Sequence, residues 1–292
     1  MTYSIGKWSK YGFVAVTVGI VLALLDADAH ANDSAAGLDG GQVVLKSVDG
    51  IRMESEDLFI SRKQVRVRYQ FRNVTEHDIQ TVVAFPLPPM PAVDDGDVED
   101  NWIGEYDYKS TNPLKFALRV DGHPTEVQTE RKPVPAKPTD YRLNQLTHYW
   151  TQRFPAGKTV VVEHSYVPAA SFRLITNRQE DNLLMLRDFC VGTQSHKSIF
   201  SLAPYLGMDR EVSAEQVISV SWINYILKTA RNWTGPIGRF HLTIEKKNTR
   251  EFISVCLEGL KKVSPTRFEF AATNYVPAHD LSILFSQPFT KQ

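Results

Sequence analysis

The sequence lacks almost every mark from which an activity is usually read. It has no C-x-x-C pair, no H-E-x-x-H, no Gly-x-Ser-x-Gly and no Gly-rich phosphate loop. Thiol redox, zinc-hydrolase, serine-hydrolase and P-loop chemistry therefore have no local signature here. Eight histidines are scattered along the chain without metal-ligand spacing, so a zinc site would have to be assembled from distant segments. Neither sign of charge is in excess, with 33 Lys and Arg against 33 Asp and Glu, and a nucleic-acid partner finds no support in that balance. Beyond the N-terminal segment no apolar run approaches the roughly 20 residues that span a bilayer.

What is present begins with a leader. Lys7 and Lys10 precede an apolar run from Tyr11 to Leu25, and Ala29-His30-Ala31 follows. These are the charged, apolar and small-residue segments of a secretory signal, so residues 1–31 are expected to be removed. The run is short for a membrane span and is closed by Asp26 and Asp28, which disfavours the alternative of a retained anchor. A periplasmic or secreted chain, with no transmembrane segment after processing, is the expectation. The only cysteines are Cys190 and Cys256. An even count in an oxidising compartment predicts one disulfide, against a rival reading as two free redox thiols.

The mature chain reads as strands. Val65, Val67, Tyr69 and Phe71 alternate with Arg66, Arg68, Gln70 and Arg72, the period of a half-buried strand. A polar break at 73–78 leads to Ile79–Phe85, and the two runs are expected to pair as a hairpin. Pro86, Pro88, Pro89 and Pro91 then terminate the second strand, because proline has no N–H for the ladder. Lys115–Val120 meets Asp121-Gly122, a hairpin signal, and Thr159–Val167 follows a Pro155-Ala156-Gly157 turn. Residues 131–139, with three prolines, predict a stiff connector. Asp140 is expected to cap a short helix carrying Leu143, Leu146, Trp150 and Phe154 on one face, and Ser195–Leu206 is the second helix. Val217–Thr229 is ambiguous, with Ser213 and Gln216 imitating a capping box, and is assigned as strand for its β-branched residues. Arg239–Glu245, Phe252–Leu257, Thr266–Ala271 and Leu281–Phe285 complete the strands.

This pattern predicts an all-β, mainly antiparallel protein of two β-sandwich-like domains with two short helical insertions. The domains expected are 32–170 and 171–292, with the boundary near Ala169–Arg173.

The run from Met53 to Ser61, then VRVRYQFRN, VAFPLP, FPAGKTVVVEHSYVP, Asp188-Phe189-Cys190, YILKTARNWTGPIGRF and KKVSPTRFEF together resemble an exported bacterial family, domain of unknown function 4424, over nearly the whole mature chain. The resemblance implies an exported protein with paired cysteines, favours strand over Trp222–Thr229, and brings no activity. Locally, NVTEHDIQTVVAFPLP resembles the sandwich domain that accompanies von Willebrand A domains in inter-alpha-trypsin-inhibitor-type proteins.

Two clusters carry candidate chemistry. Asp94, Asp95, Asp97, Glu99 and Asp100 surround Gly96, an acidic loop of the kind that supplies oxygens to calcium. It departs from the EF-hand spacing, and ordinary solvated acidity competes with that reading. Trp102, Tyr106 and Tyr108 follow, and loop aromatics beside carboxylates can bind sugars or peptides or simply fold the loop back onto its sheet. No cofactor is expected unless it is calcium. The function these features support is a non-enzymatic binding or accessory protein of the cell envelope, with a glycan or protein partner. The alternative is an envelope hydrolase with a loop-built site that uses calcium.

Overall fold

A computed structural model of the chain describes residues 34–39, 42–45, 47–91, 102–103, 106–107, 109–134, 143–177, 180–192, 195, 197, 199–200 and 217–288. The expected leader 1–31, the acidic residues of 94–100, Tyr108, residues 213–216 that imitate a capping box and residues 201–206 of the second expected helix lie outside these. Elements are numbered in chain order.

The strict alternation after Val65 places β4 (Val65–Asn73) at the middle of an eight-stranded sheet. On one side β4 pairs with β3 (Ile51–Ser61), which runs parallel to β15 (Ile237–Glu245); β18 (Arg267–Tyr275) and β17 (Lys261–Lys262) follow to the edge. On the other side come β12 (Thr159–Tyr166), β8 (Ala117–Val120) and β9 (His123–Thr125). Both edges are blunted, one by two lysines and the other by Pro124, which discourages further pairing. The β8–β9 turn is the expected tight hairpin, with Asp121 and Gly122 at φ 48° and 80° as its primed geometry requires.

Two further sheets cover one face of this long sheet. The first runs β10 (Gln128–Val134), β11 (Leu143–Phe154), β5 (Ile79–Pro86), β1 (Ser34–Asp39) and β2 (Gln42–Leu45), with β6 (Met90–Pro91) also on β11. The second runs β16 (Phe252–Val255), β19 (Leu281–Pro288), β14 (Val217–Tyr225), β13 (Ala170–Thr176) and β7 (Trp102–Ile103). Inward residues of β4 meet both: Phe71 lies 6.0 Å from the Phe154 ring of β11, and the Tyr69 hydroxyl is 2.9 Å from that of Tyr225 on β14. The fold is all-β, mainly antiparallel and sandwich-like, as expected. The boundary expected near Ala169–Arg173 falls at the start of β13, while the eight-stranded sheet takes strands from both sides of it. One buried cluster runs from Ile51 through Phe154 to Phe285.

The outer face of the β14 sheet is covered by α1 (Glu180–Asp188) and the segment after it. Ile218 and Val220 pack there, while Ile223 and Tyr225 face the long sheet. Burial on both faces is why apolar residues of β14 occupy both parities, Ile218 and Val220 on one side and Ile223 and Tyr225 on the other. The helix closes with Cys190 at φ 57°, Cys190 N–H donating to Arg187 and Val191 N–H to Leu186, a Schellman motif with its apolar pair Leu186 and Val191 both buried. Helical residues Ser195, Lys197, Ile199 and Phe200 follow within the segment expected to be helical.

Several expectations are corrected. Residues 143–154 form a strand, not a helix: alternate residues Leu146, His148, Trp150, Gln152 and Phe154 all point inward. Two polar residues among them hide the alternation and leave an apparent helical spacing. Residues 128–134 belong to edge strand β10, where Pro133 stands opposite Asn144; an edge is where proline is tolerated in a sheet. The helix α1 carries no sequence pattern that distinguished it. The proline run ends β5 at Pro86, yet Met90 and Pro91 resume the ladder against β11.

Nor do β4 and β5 form a hairpin, because the chain crosses there between layers. Asn73, fully buried, organises the corner. Its Nδ2 donates to His77 O and Phe154 O, both at 2.8 Å, and its Oδ1 accepts from Thr75 N and Oγ1 at 2.9 and 2.7 Å. A single buried amide thereby satisfies backbone groups that leave the ladder at the crossing.

Candidate functional site

The residues singled out in the sequence fall in different places. Trp102 lies in β7, in register with Ser171 at the edge of the β14 sheet. The Tyr106 hydroxyl donates to Pro168 O at 2.9 Å, and its ring packs against the main core. Tyr108 and Asp94, Asp95, Asp97, Glu99 and Asp100 lie outside the described residues. Cys190 and Cys256 are bonded to one another, with Cα atoms 5.2 Å apart, tying the end of α1 to the end of β16. Among the described residues no three His, Cys, Asp or Glu side chains converge as a metal site, and no helix is long and apolar enough to cross a membrane.

A cavity of about 430 Å³ lies on the face of the eight-stranded sheet turned away from the two covering layers. It is built by register. His241, Asp57, Arg68, Glu163 and Arg119 stand side by side across five strands. Neighbouring strands lie about 4.8 Å apart, so five side chains of mixed sign form one straight row. His241 Nδ1 is 3.6 Å from Asp57 Oδ1, and Arg68 Nε is 3.2 Å from Glu163 Oε1. Arg119 donates to Gly122 O at 3.2 Å. The adjacent row is Thr243, Phe59, Arg66, Ser165 and Ala117, with the Arg66 guanidinium 4.4 Å above the Phe59 ring.

Such a row can engage a polar molecule by hydrogen bonding. Its ion pairs are half-exposed, where each contributes no more than about 1 kcal/mol. A ligand offering both donors and acceptors can therefore replace one partner at small cost. The Arg66 and Arg68 stripe was legible in the sequence as an outer strand face. Asp57, Glu163, Arg119 and His241 were not, because each comes from a different strand and only tertiary pairing aligns them.

The remaining polar groups are internal. In β3 the residue Glu54 is an extra one against β4, and the register shifts between Met53 and Ser55. This bulge changes which alternate residues point inward: Ile51 and Met53 before it, Glu56, Leu58 and Ile60 after it. Glu56 thus enters the core, where the Tyr225 hydroxyl donates to its Oε1 at 2.9 Å. Burial, and then the charge of Glu56, push the Tyr225 phenol well above its usual pKa. The same two causes raise Tyr275.

On β11, burial lowers His148 to about 4, and its Nδ1 is 2.8 Å from Thr129 Oγ1. His164 is buried among the rings of Tyr69, Phe85 and Phe116, while Ser165 beside it lines the outer face. A His-Ser pair at adjacent strand positions points to opposite sides and forms no catalytic couple.

The described residues thus define an all-β sandwich protein with a polar outer sheet face and a disulfide. The chain belongs to the domain of unknown function 4424 family, which matches residues 31–142 and 138–284. It is similar to a candidate nutrient binding protein from Legionella pneumophila, known from a crystal structure, at 17% identity and a TM-score of 0.49, over 88% of this chain and 72% of that one. No curated protein matches the chain.

Proposed function

We propose that this protein is an exported, non-enzymatic binding or accessory protein of the cell envelope, and that it holds an envelope glycan or peptide on the outer face of its eight-stranded sheet. The leader-like residues 1–31 and the Cys190–Cys256 bond support export, since such bonds persist in oxidising compartments. The row His241, Asp57, Arg68, Glu163 and Arg119 carries the binding reading. It presents donors and acceptors in alternation along an open, shallow cavity, with Phe59 and Ala117 as apolar floor, a composition suited to sugars and extended peptides.

The test uses the mature protein, cell fractionation, and two probes: soluble peptidoglycan fragments and a mixture of envelope-derived peptides. Recovery in the exported fraction, with saturable binding of one probe weakened at least tenfold in Arg68→Ala/Arg119→Ala, is expected. Retention in the cytoplasm overturns export, equal binding by the variant overturns the site, and release of cleaved product overturns the non-enzymatic reading.

A further inference from the structure

A second cavity, of about 670 Å³, shares no lining residue with the first. It opens where two turns lie side by side at the ends of β3 and β15, because the parallel register of those strands sets Glu245 beside Ser61. In the first turn Ser61 Oγ accepts from Lys63 N–H and Gln64 N–H at 3.3 and 3.1 Å. In the second, Asn248 Oδ1 accepts from Arg250 N–H and Glu251 N–H at 2.9 and 3.2 Å.

The side chain of Glu251 clamps the two turns together. It is wholly buried, meets Arg62 Nε at 2.8 Å and accepts from Lys247 N–H at 2.6 Å. Arg62 also donates from its second nitrogen to Gln287 Oε1 at 3.2 Å. Two fixed contacts orient the guanidinium plane and leave the rest of its N–H fork free to donate.

Around that fork Lys63, Lys246 and Lys247 also line the cavity, so four cationic side chains stand against two carboxylates, Glu245 in the lining and the buried Glu251 behind Arg62. Glu245 is itself engaged by Arg267 at 3.2 Å. The ammonium groups of Lys63 and Lys247 are exposed and have no carboxylate partner among the described residues. Lys246 is buried, with Nζ 3.4 Å from Thr249 O; burial, followed by the positive charge of Lys262, lowers its pKa.

Ser219 and Gln287 add polar groups, and Phe172 an apolar wall. One step along the same face of β14, Ser221 is buried with its Oγ unpartnered among the described residues.

We infer that this cavity binds the phosphate group of a small phosphomonoester. An oriented guanidinium with lysine side chains beside it in the lining matches a dianion with three acceptor oxygens, whereas a single carboxylate would leave part of the positive charge unanswered. The cavity is larger than a phosphate alone and falls within the size range of small-molecule sites. The inference is independent of the sheet-face reading, since the variants that test each leave the other set of residues intact.

The experiment is isothermal titration of the mature protein with inorganic phosphate and with glycerol phosphate, beside cosedimentation with vesicles of phosphatidylglycerol or of phosphatidylcholine. Saturable binding of glycerol phosphate is expected, weakened at least tenfold in Lys63→Ala/Lys247→Ala at unchanged Tm, with inorganic phosphate competing. Unchanged affinity in the variant overturns the site. Absence of saturable binding by either soluble probe overturns the ligand class. Capture by phosphatidylglycerol vesicles without binding of the soluble ester assigns the cations to a membrane surface and overturns the small-molecule form.

Discussion

The Tyr225 hydroxyl donates to Glu56 Oε1 at 2.9 Å, across two sheets and 169 positions of sequence. Both residues are fully buried, so the bond operates where water cannot substitute for either partner. Tyr225→Phe removes the donor and leaves the carboxyl group in place. A buried polar group deprived of a partner costs about 1–3 kcal/mol, and urea unfolding should show that loss as a lower midpoint at unchanged slope. A variant as stable as the parent would show that the bond contributes nothing.

Gly238 makes the bulge that admits Glu56 possible. A Cβ at this position would sit 2.6 Å from the Glu54 carbonyl oxygen, a backbone atom that cannot swing aside. Gly238→Ala is therefore expected to cost about 1–3 kcal/mol through overpacking. Gly192→Ala, where an added Cβ meets nothing within 4 Å, serves as the control and should stay within about 0.5 kcal/mol of the parent. Equal thermal shifts in the two variants would refute the steric account.

His148 makes stability depend on pH. Burial lowers its pKa from 6.5 to about 4 in the folded chain, so on acidification the unfolded chain binds the proton first. The contribution of the neutral imidazole is whole above pH 6.5 and is lost as the pH falls through about 4. The shift corresponds to about 3 kcal/mol. His148→Gln should flatten the stability profile between those limits, measured by urea unfolding at half-unit steps; a slope parallel to that of the parent contradicts the assignment.

The Cys190–Cys256 bond closes a separation of 66 residues, for which chain entropy predicts about 4 kcal/mol of stabilisation. Cys190→Ser/Cys256→Ser should lose much of it, with the largest rise in hydrogen exchange in α1. Non-reducing peptide mapping of the native protein should recover the two cysteines in one linked peptide. Two alkylatable thiols would refute the pairing.

By itself the sequence determined the class of this protein, the period of its best strands and its tight β8–β9 hairpin, and it led to the expectation of one disulfide. These are local or compositional properties: alternation in β4, an Asp-Gly turn, an even cysteine count. Only the tertiary structure decided which strands are neighbours. Alternation records that one face is buried and not by what, so β4 and β5 read as a hairpin although Asn73 turns the chain into another layer. Polar residues in inward positions, His148 and Gln152, disguised β11 as a helix because they break its apolar alternation, and nothing local announces the sheet that buries them. The same limit hid both candidate sites. The row from His241 to Arg119 exists through the register of five strands, and the basic cavity through the parallel pairing of β3 with β15, a contact between residues 184 positions apart that no local pattern encodes.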